Sequence, residues 1–204
     1  IVEKIEKQKQ IIEGAKKIEE GFRADLGKLD YETKLLKDIC QNLDGKRVPI
    51  TEGERIKGGI PYYGASGIID YVSEHIFEDD LLLVSEDGAN LKMRTYPIAF
   101  SITGKTWVNN HAHVLKFKDH STQKFVEHYL NSISLEEYLT GTTQPKLNQD
   151  KLNNLQIPLP PLEIQHQIVE KLDRQMQALE GVRLLKSEAE KRIEEILAAV
   201  WGEK

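Results

Sequence analysis

The chain has 204 residues, 28 Lys+Arg against 33 Asp+Glu, a net charge of −5 and 30% charged side chains, a soluble, folded composition. No uncharged run is long enough to cross a bilayer, and no charged-then-apolar signal segment opens the chain. The single cysteine, Cys40, excludes a disulfide framework and points to the cytoplasm. An acidic average also argues, at first, against a nucleic-acid binder.

The first element predicted is a helix, and it is repeated. Residues 1–18 align without gaps on residues 168–185, and eight of the eighteen positions are identical, including Ile1/Ile168, Gln8/Gln175 and Gly14/Gly181. Two unrelated charged helices would rarely match so well, so the pair reads as a duplication. In the second copy, apolar residues recur at alternating spacings of four and three: Ile168, Leu172, Leu179, Val182, Ala189, Ile193, Ile196 and Val200, interrupted by Gln175 and Lys186. The first copy places Ile1, Ile5, Gln8, Ile12 and Ala15 at the equivalent positions. This is a coiled-coil seam, and a stripe so narrow needs a partner helix. The simplest partner is the other copy, packed antiparallel. Gln8 and Gln175 either set its register or sit solvated at its edge. The first helix is expected to end near Gly21 or Gly27. The second runs from about Leu162 to Val200 behind Pro158, Pro160 and Pro161, roughly 58 Å of helix.

Between the helices the apolar stretches are short, at residues 68–72, 81–85, 98–102 and 112–117, and Gly, Asp and Asn punctuate them, which predicts strands and turns. Phe125, Tyr129 and Leu130 carry helical spacing over 121–133. Ser134-Leu135-Glu136-Glu137 fits a capping box that opens a second short helix, and Leu155-Gln156-Ile157 reads as a strand. The fold class expected is α+β: a mixed α/β domain over 30–160, flanked by helices at 1–29 and 161–204 that form an antiparallel coiled coil.

The charges of the central domain are segregated. Residues 70–87 hold seven acids and no Lys or Arg; residues 88–118 hold Lys92, Arg94, Lys105, Lys116 and Lys118 and no acid. A second acid-free stretch, 139–149, contains Thr143, Gln144 and Lys146, and a third cluster holds Lys46, Arg47, Arg55 and Lys57. Lys and Arg neutralise phosphates, and Arg, Asn and Gln can read base edges. Any one cluster could equally be a solvated face; three in one small domain favour DNA.

No catalytic constellation stands out. His111 and His113 could pair on a metal with Asp87, but no Cys or carboxylate lies beside them in sequence, and both are read as structural. Glu86-Asp87-Gly88 reads as a turn ending in glycine. The Gly-rich stretches 58–59 and 63–67 match no phosphate loop. Cys40 reads as packed and inert.

Four stretches carry a family resemblance: Leu35–Cys40, Ile60–Tyr71, Val108–Leu115, and Thr143–Asn148 running on to Ile157–Gln165. In this order, with the repeated helix, they resemble part of a type I restriction–modification specificity subunit. The resemblance implies a non-catalytic subunit with two target recognition domains separated by two conserved antiparallel helices. Each domain reads half of a split double-stranded DNA site. The helices dock two methyltransferase subunits, and restriction subunits complete the nuclease. S-adenosylmethionine, ATP and magnesium belong to those other subunits, and no cofactor is expected here. This chain has one recognition domain and two helix copies, so either an upstream domain was removed or it is a natural or engineered half-subunit. A half-subunit could pair with a second copy to restore a two-part reader of a symmetric site.

On this reading Lys46, Arg47, Lys57, Lys105 and Lys146 are expected to contact phosphates. Arg55, Tyr63, Ser66, Lys92, Arg94, Trp107, Asn109, Thr143 and Gln144 are the candidates for base edges. The competing expectation is a helical scaffold for protein assembly whose middle domain does not touch DNA.

Overall fold

The computed structural model describes residues 1–21, 26, 28–141 and 143–202. They fall into two units, one of residues 1–24 with 170–204 and one of residues 25–169.

In the first unit α1 (Val2–Gly21) is followed far along the chain by the C-terminal part of a long helix within Leu162–Trp201. The least exposed positions of α1 are Ile5, Gln8, Ile12, Ala15 and Glu19, and those of the long helix from residue 170 on are Leu172, Leu179, Val182, Lys186, Ala189, Ile193 and Ile196, with Asp173 and Leu197 beside them. Shielding therefore follows the four-and-three spacing of the sequence. The ends depart from it: Ile1 and Val200 are exposed. Gln175 is exposed and lines an open cleft of about 180 Å³ beside Ile18, Leu179 and Val182. Glu19 accepts from Lys186 at 2.9 Å and from Arg183 at 3.3 Å. The alternative helix end at Gly27 lies outside the described residues.

The second unit opens with β1 (Thr33–Leu35), a single turn of helix α2 (Leu36–Ile39) and β2 (Cys40–Asn42). There follow β3 (Lys57–Gly64), β4 (Gly67–Val72), β5 (Phe77–Glu78), β6 (Leu81–Ser85), the short α3 (Asn90–Met93), β7 (Ala99–Ile102), β8 (Lys105–Val108) and β9 (Ala112–Phe117). Then come α4 (His120–Ser132), α5 (Gln149–Asn153), β10 (Gln156–Pro158) and α6 (Leu162–Trp201). The four strands and the 121–133 helix read from the sequence are present. The second short helix is not: Glu136–Tyr138 makes one 3-10 turn, with Ser134 Oγ accepting from the Glu136 N–H.

Two four-stranded sheets form the body, in the orders β2-β9-β6-β7 and β4-β3-β8-β5. The first is antiparallel throughout; in the second, β3 and β8 run parallel, with Tyr62 opposite Trp107. Both sheets supply the core, in which Phe77, Leu81, Leu83, Ile102, Val108, Ala112 and Val114 cluster with Leu43. Helix α4 covers the other face of the first sheet with Phe125, Val126, Tyr129 and Leu130. That is why β6, Leu-Leu-Leu-Val-Ser, is buried at every position and lacks the alternation of a half-exposed strand. Asp119 starts α4 by accepting from the Thr122 N–H at 3.0 Å. Burying Phe125 alone is worth about 2–3 kcal/mol. β1 and β10 pair antiparallel, Thr33 opposite Pro158, and tie the entry of this unit to its exit.

Candidate nucleic-acid interface

The strand directions gather particular turns at one end of the second unit. β3, β6 and β8 finish there, and β4, β7 and β9 begin there, as their pairings require: Gly64 opposite Gly67, Val84 opposite Ala99, Ser85 opposite Ala112 and Tyr63 opposite Val108. The turns at 65–66, 86–98 and 109–111 therefore share this end. Residues 44–48 join them through Arg47, which reaches Asn110 O and Ala112 O. The stretch 139–147 joins through hydrogen bonds from the Gly88 N–H to Pro145 O and from the Leu147 N–H to Glu86 O. At the opposite end lie Glu78, Asp79 and Asp80, with Lys105 opposite Glu78 and Lys116 bound to Asp79 at 2.5 Å.

A buried polar cluster ties the turns together. His113 on β9 is fully buried, with Nδ1 2.6 Å from Asp44 Oδ2 and Nε2 2.7 Å from Leu147 O. Asp44 also accepts from the Val114 N–H and from Gln149 Nε2. Burial pushes its carboxyl up, but the bonds from His113 and Val114 and the charges of His113 and Arg47 outweigh this and hold it below the ordinary value. Glu86 receives Arg47 at 2.6 Å and Lys146 at 3.0 Å. Burial raises this carboxyl too, and the bonds from Arg47 and Lys146 outweigh burial and leave it lowered. Asp44, Glu86 and His113 lie close enough to hold a metal ion. They do not fit one: both ring nitrogens of His113 are engaged, and two cationic side chains already neutralise Glu86.

The stretch 139–147 is clamped at its base and open at its tip. Thr140 and Lys146 exchange backbone hydrogen bonds at 2.8 Å each. Gly141 sits at φ 79°, and a Cβ there would stand 2.4 Å from Gln144 O, so the turn requires glycine. Thr143 and Gln144 are exposed beyond it.

Against this frame, Ser66, Lys92, Thr143, Gln144, Lys46 and Lys146 are exposed at the turn-bearing end. Tyr63 is half-buried, its ring 6.1 Å from that of Phe100. Other expected contacts are committed elsewhere. Arg47, expected at phosphate, is an internal tie with 13% of its side chain exposed, bonded to Glu86, Ala112 O and Asp44 O. Arg94, expected at a base edge, donates through Nε to Leu91 O, Nη1 to Leu130 O and Nη2 to Ile133 O, closing the end of α4. Asn109 is buried and accepts from the His111 N–H. Trp107 donates to Val48 O at 2.6 Å. Arg55 lies over the Tyr62 ring and shares Asp70 with Lys57, which begins β3 at the end remote from Gly64. Lys105 stands beside the acids at the far end. Several of these partners are distant in sequence: Glu86 for Arg47, Leu130 and Ile133 for Arg94, and Val48 for Trp107.

His111, read from the sequence as structural with His113, stands in a turn before β9 with 49% of its side chain exposed and Nδ1 2.9 Å from Asp87. Cys40 is as expected: its thiol donates to Leu36 O, and burial, with Asp44, pushes it up to about 12.

Residues 28–190 match the type I restriction modification DNA specificity domain. A type I restriction enzyme specificity subunit of Haemophilus influenzae is 37% identical over 144 residues, covering 71% of this chain and 37% of that protein. The EcoprrI specificity subunit of Escherichia coli is 24% identical, again over 71% of this chain and 39% of the relative. Among solved structures, a type I restriction–modification complex component covers 98% of this chain and 54% of its own at TM-score 0.69 and 18% identity. The Mycoplasma genitalium S subunit covers 92% and 56% at TM-score 0.58, also at 18% identity. These likenesses bear on the fold. The chain belongs to the type I restriction modification DNA specificity domain family, and spans less than two-fifths of the curated relatives it matches. No described helix is long and apolar enough to cross a membrane.

Proposed function

We propose that residues 30–160 are a target recognition domain that reads half of a bipartite double-stranded DNA site, without catalysis of its own. The observation that carries this is the gathering of five exposed, clamped turns at one end of the sheets, with the run Glu78–Asp80 at the other. A charge so divided orients the domain on a polyanion while the net charge stays negative. On this reading Ser66, Thr143 and Gln144 face base edges, Lys46 and Lys92 face phosphates, and Tyr63 packs behind them; Lys146 joins the phosphate set because half of its side chain is exposed and its partner Glu86 keeps Arg47. Arg47, Arg55, Lys57, Arg94, Lys105, Trp107 and Asn109 are left out, because their donors or positions are committed elsewhere.

Residues 1–29 and 161–204 hold the two spacer-helix copies, and their helices Val2–Gly21 and, from residue 170 on, α6 pair as an antiparallel coiled coil. Glu19 meets Arg183 and Lys186. From that point a parallel partner would run back toward residue 170 and leave Ala189, Ile193 and Ile196 uncovered. All three are shielded, which favours the antiparallel sense. Methyltransferase subunits, two in number, dock on these helices, restriction subunits join them, and self-association would supply a second half-site reader.

Binding of the chain to duplex DNA, measured by fluorescence anisotropy from 50 to 200 mM salt, tests this reading. Affinity is expected to fall steeply with salt, and selection from random duplexes should return one half-site. No binding at 50 mM salt would favour the helical-scaffold reading.

A further inference from the structure

His111 is exposed yet held from three directions. Its N–H donates to Asn109 Oδ1 at 2.8 Å, its carbonyl accepts from the Glu86 N–H at 2.9 Å, and its ring Nδ1 lies 3.0 and 2.9 Å from the two oxygens of Asp87. A surface histidine with only a solvent role gains little from this, since fixing an exposed side chain costs entropy. The geometry leaves Nε2 without a hydrogen bond among the described residues, at the end where the turns gather. The charged groups around it are accounted for. Asp87 takes Nδ1; Glu86 is neutralised by Arg47 and Lys146; Arg47 also reaches Asn110 O; His113, two residues on, is buried and turned to Asp44.

We infer that His111, positioned by Asp87, is a DNA phosphate contact that works only when its ring is protonated. The inference rests on the DNA-recognition reading above. With Nδ1–H given to Asp87, a neutral ring offers phosphate a lone pair at Nε2, and the contact is repulsive. A protonated ring offers Nε2–H and a positive charge, giving a charge-assisted bond. Histidine is the side-chain type that gains or loses a proton near neutral pH. Of the acidic neighbours, Glu86 is matched by Arg47 and Lys146, and Asp87 is engaged by the His111 ring itself, which it orients with Nε2 turned away.

The test is anisotropy of the 204-residue chain on a labelled mixed-sequence 40-base-pair duplex at pH 6 and pH 8. The wild type should bind about fivefold tighter at pH 6, the scale of one phosphate contact. His111→Ala should remove that difference and lower the salt slope at pH 6 by about one. His111→Lys should bind at pH 8 as the wild type does at pH 6, and Asp87→Ala should shrink the pH difference. Thermal melts by circular dichroism establish that each variant is folded. A full pH difference retained in His111→Ala, or no gain at pH 8 in His111→Lys, overturns the inference. If Lys146→Ala still weakens binding in that case, the recognition reading stands without it. No binding by the wild type at either pH overturns both.

Discussion

Arg94 stands at φ 53°, in the left-handed region that a non-glycine side chain seldom occupies. The strain is offset by three guanidinium bonds, two of them to the last carbonyls around α4, groups that a helix end leaves without partners. Arg94→Ala is therefore expected to cost about 1–3 kcal/mol in urea unfolding and to leave base preference unchanged. A relaxed preference with unchanged stability would return Arg94 to the DNA. Asp44 gives the pH prediction. Its folded-state carboxyl lies below the ordinary value, so its contribution is complete above the unfolded value and is lost as pH falls through the folded one. Urea unfolding at pH 7, 5 and 3 should show falling stability. Asp44→Asn should lose about 1–3 kcal/mol at pH 7, because it removes the carboxylate that His113 Nδ1, the Val114 N–H and Gln149 share, and should flatten the acid limb. The limb should not vanish, because Glu86 is lowered as well. What the residue types alone could not convey is this use of arginine: Arg47 and Arg94 have the chemistry of phosphate ligands and are spent on partners 39 residues away.

At the scale of elements, the seam was legible because its period is local. Ala189 and Leu179, read as seam positions, are among the most shielded residues of α6. Leu179→Ala should lower helical stability by about 2 kcal/mol, the low end for a buried leucine because an open cleft adjoins it. Gln175→Leu should change the melt little, as Gln175 is exposed; a large gain would mean that Gln175 is buried against a partner. Helicity at 222 nm on heating measures both. Strands β4, β6, β7 and β9 and helix α4 were readable for the same reason, each carrying its own apolar run. β3 was not: Gly58, Gly59 and Pro61 disguise it, and only pairing with β4 and β8 makes it a strand. β5 is two residues long and β8 four, too short for a period to register.

For the whole molecule, the division of charge is the property that sequence runs only suggested. The acid-free run 88–118 does not form one basic face: Lys105 and Lys116 lie at the acidic end, paired in register or by an ion pair. Lys146→Ala should weaken duplex binding several-fold and lower its salt slope by about one, whereas Lys105→Ala should leave both within error. Equal losses would mean that the two ends do not differ in function. The helix repeat, the mixed α/β class and the family were legible in the chain alone, because these rest on short-range period and ordered motifs. Which polar side chains remain available for a partner was set by the packing of the fold. That choice depends on pairs such as Asp44 with His113 and Arg47 with Glu86, tens of residues apart, and on strand directions that bring five turns to one end. A neighbour brought by a sheet leaves no periodic trace in the chain.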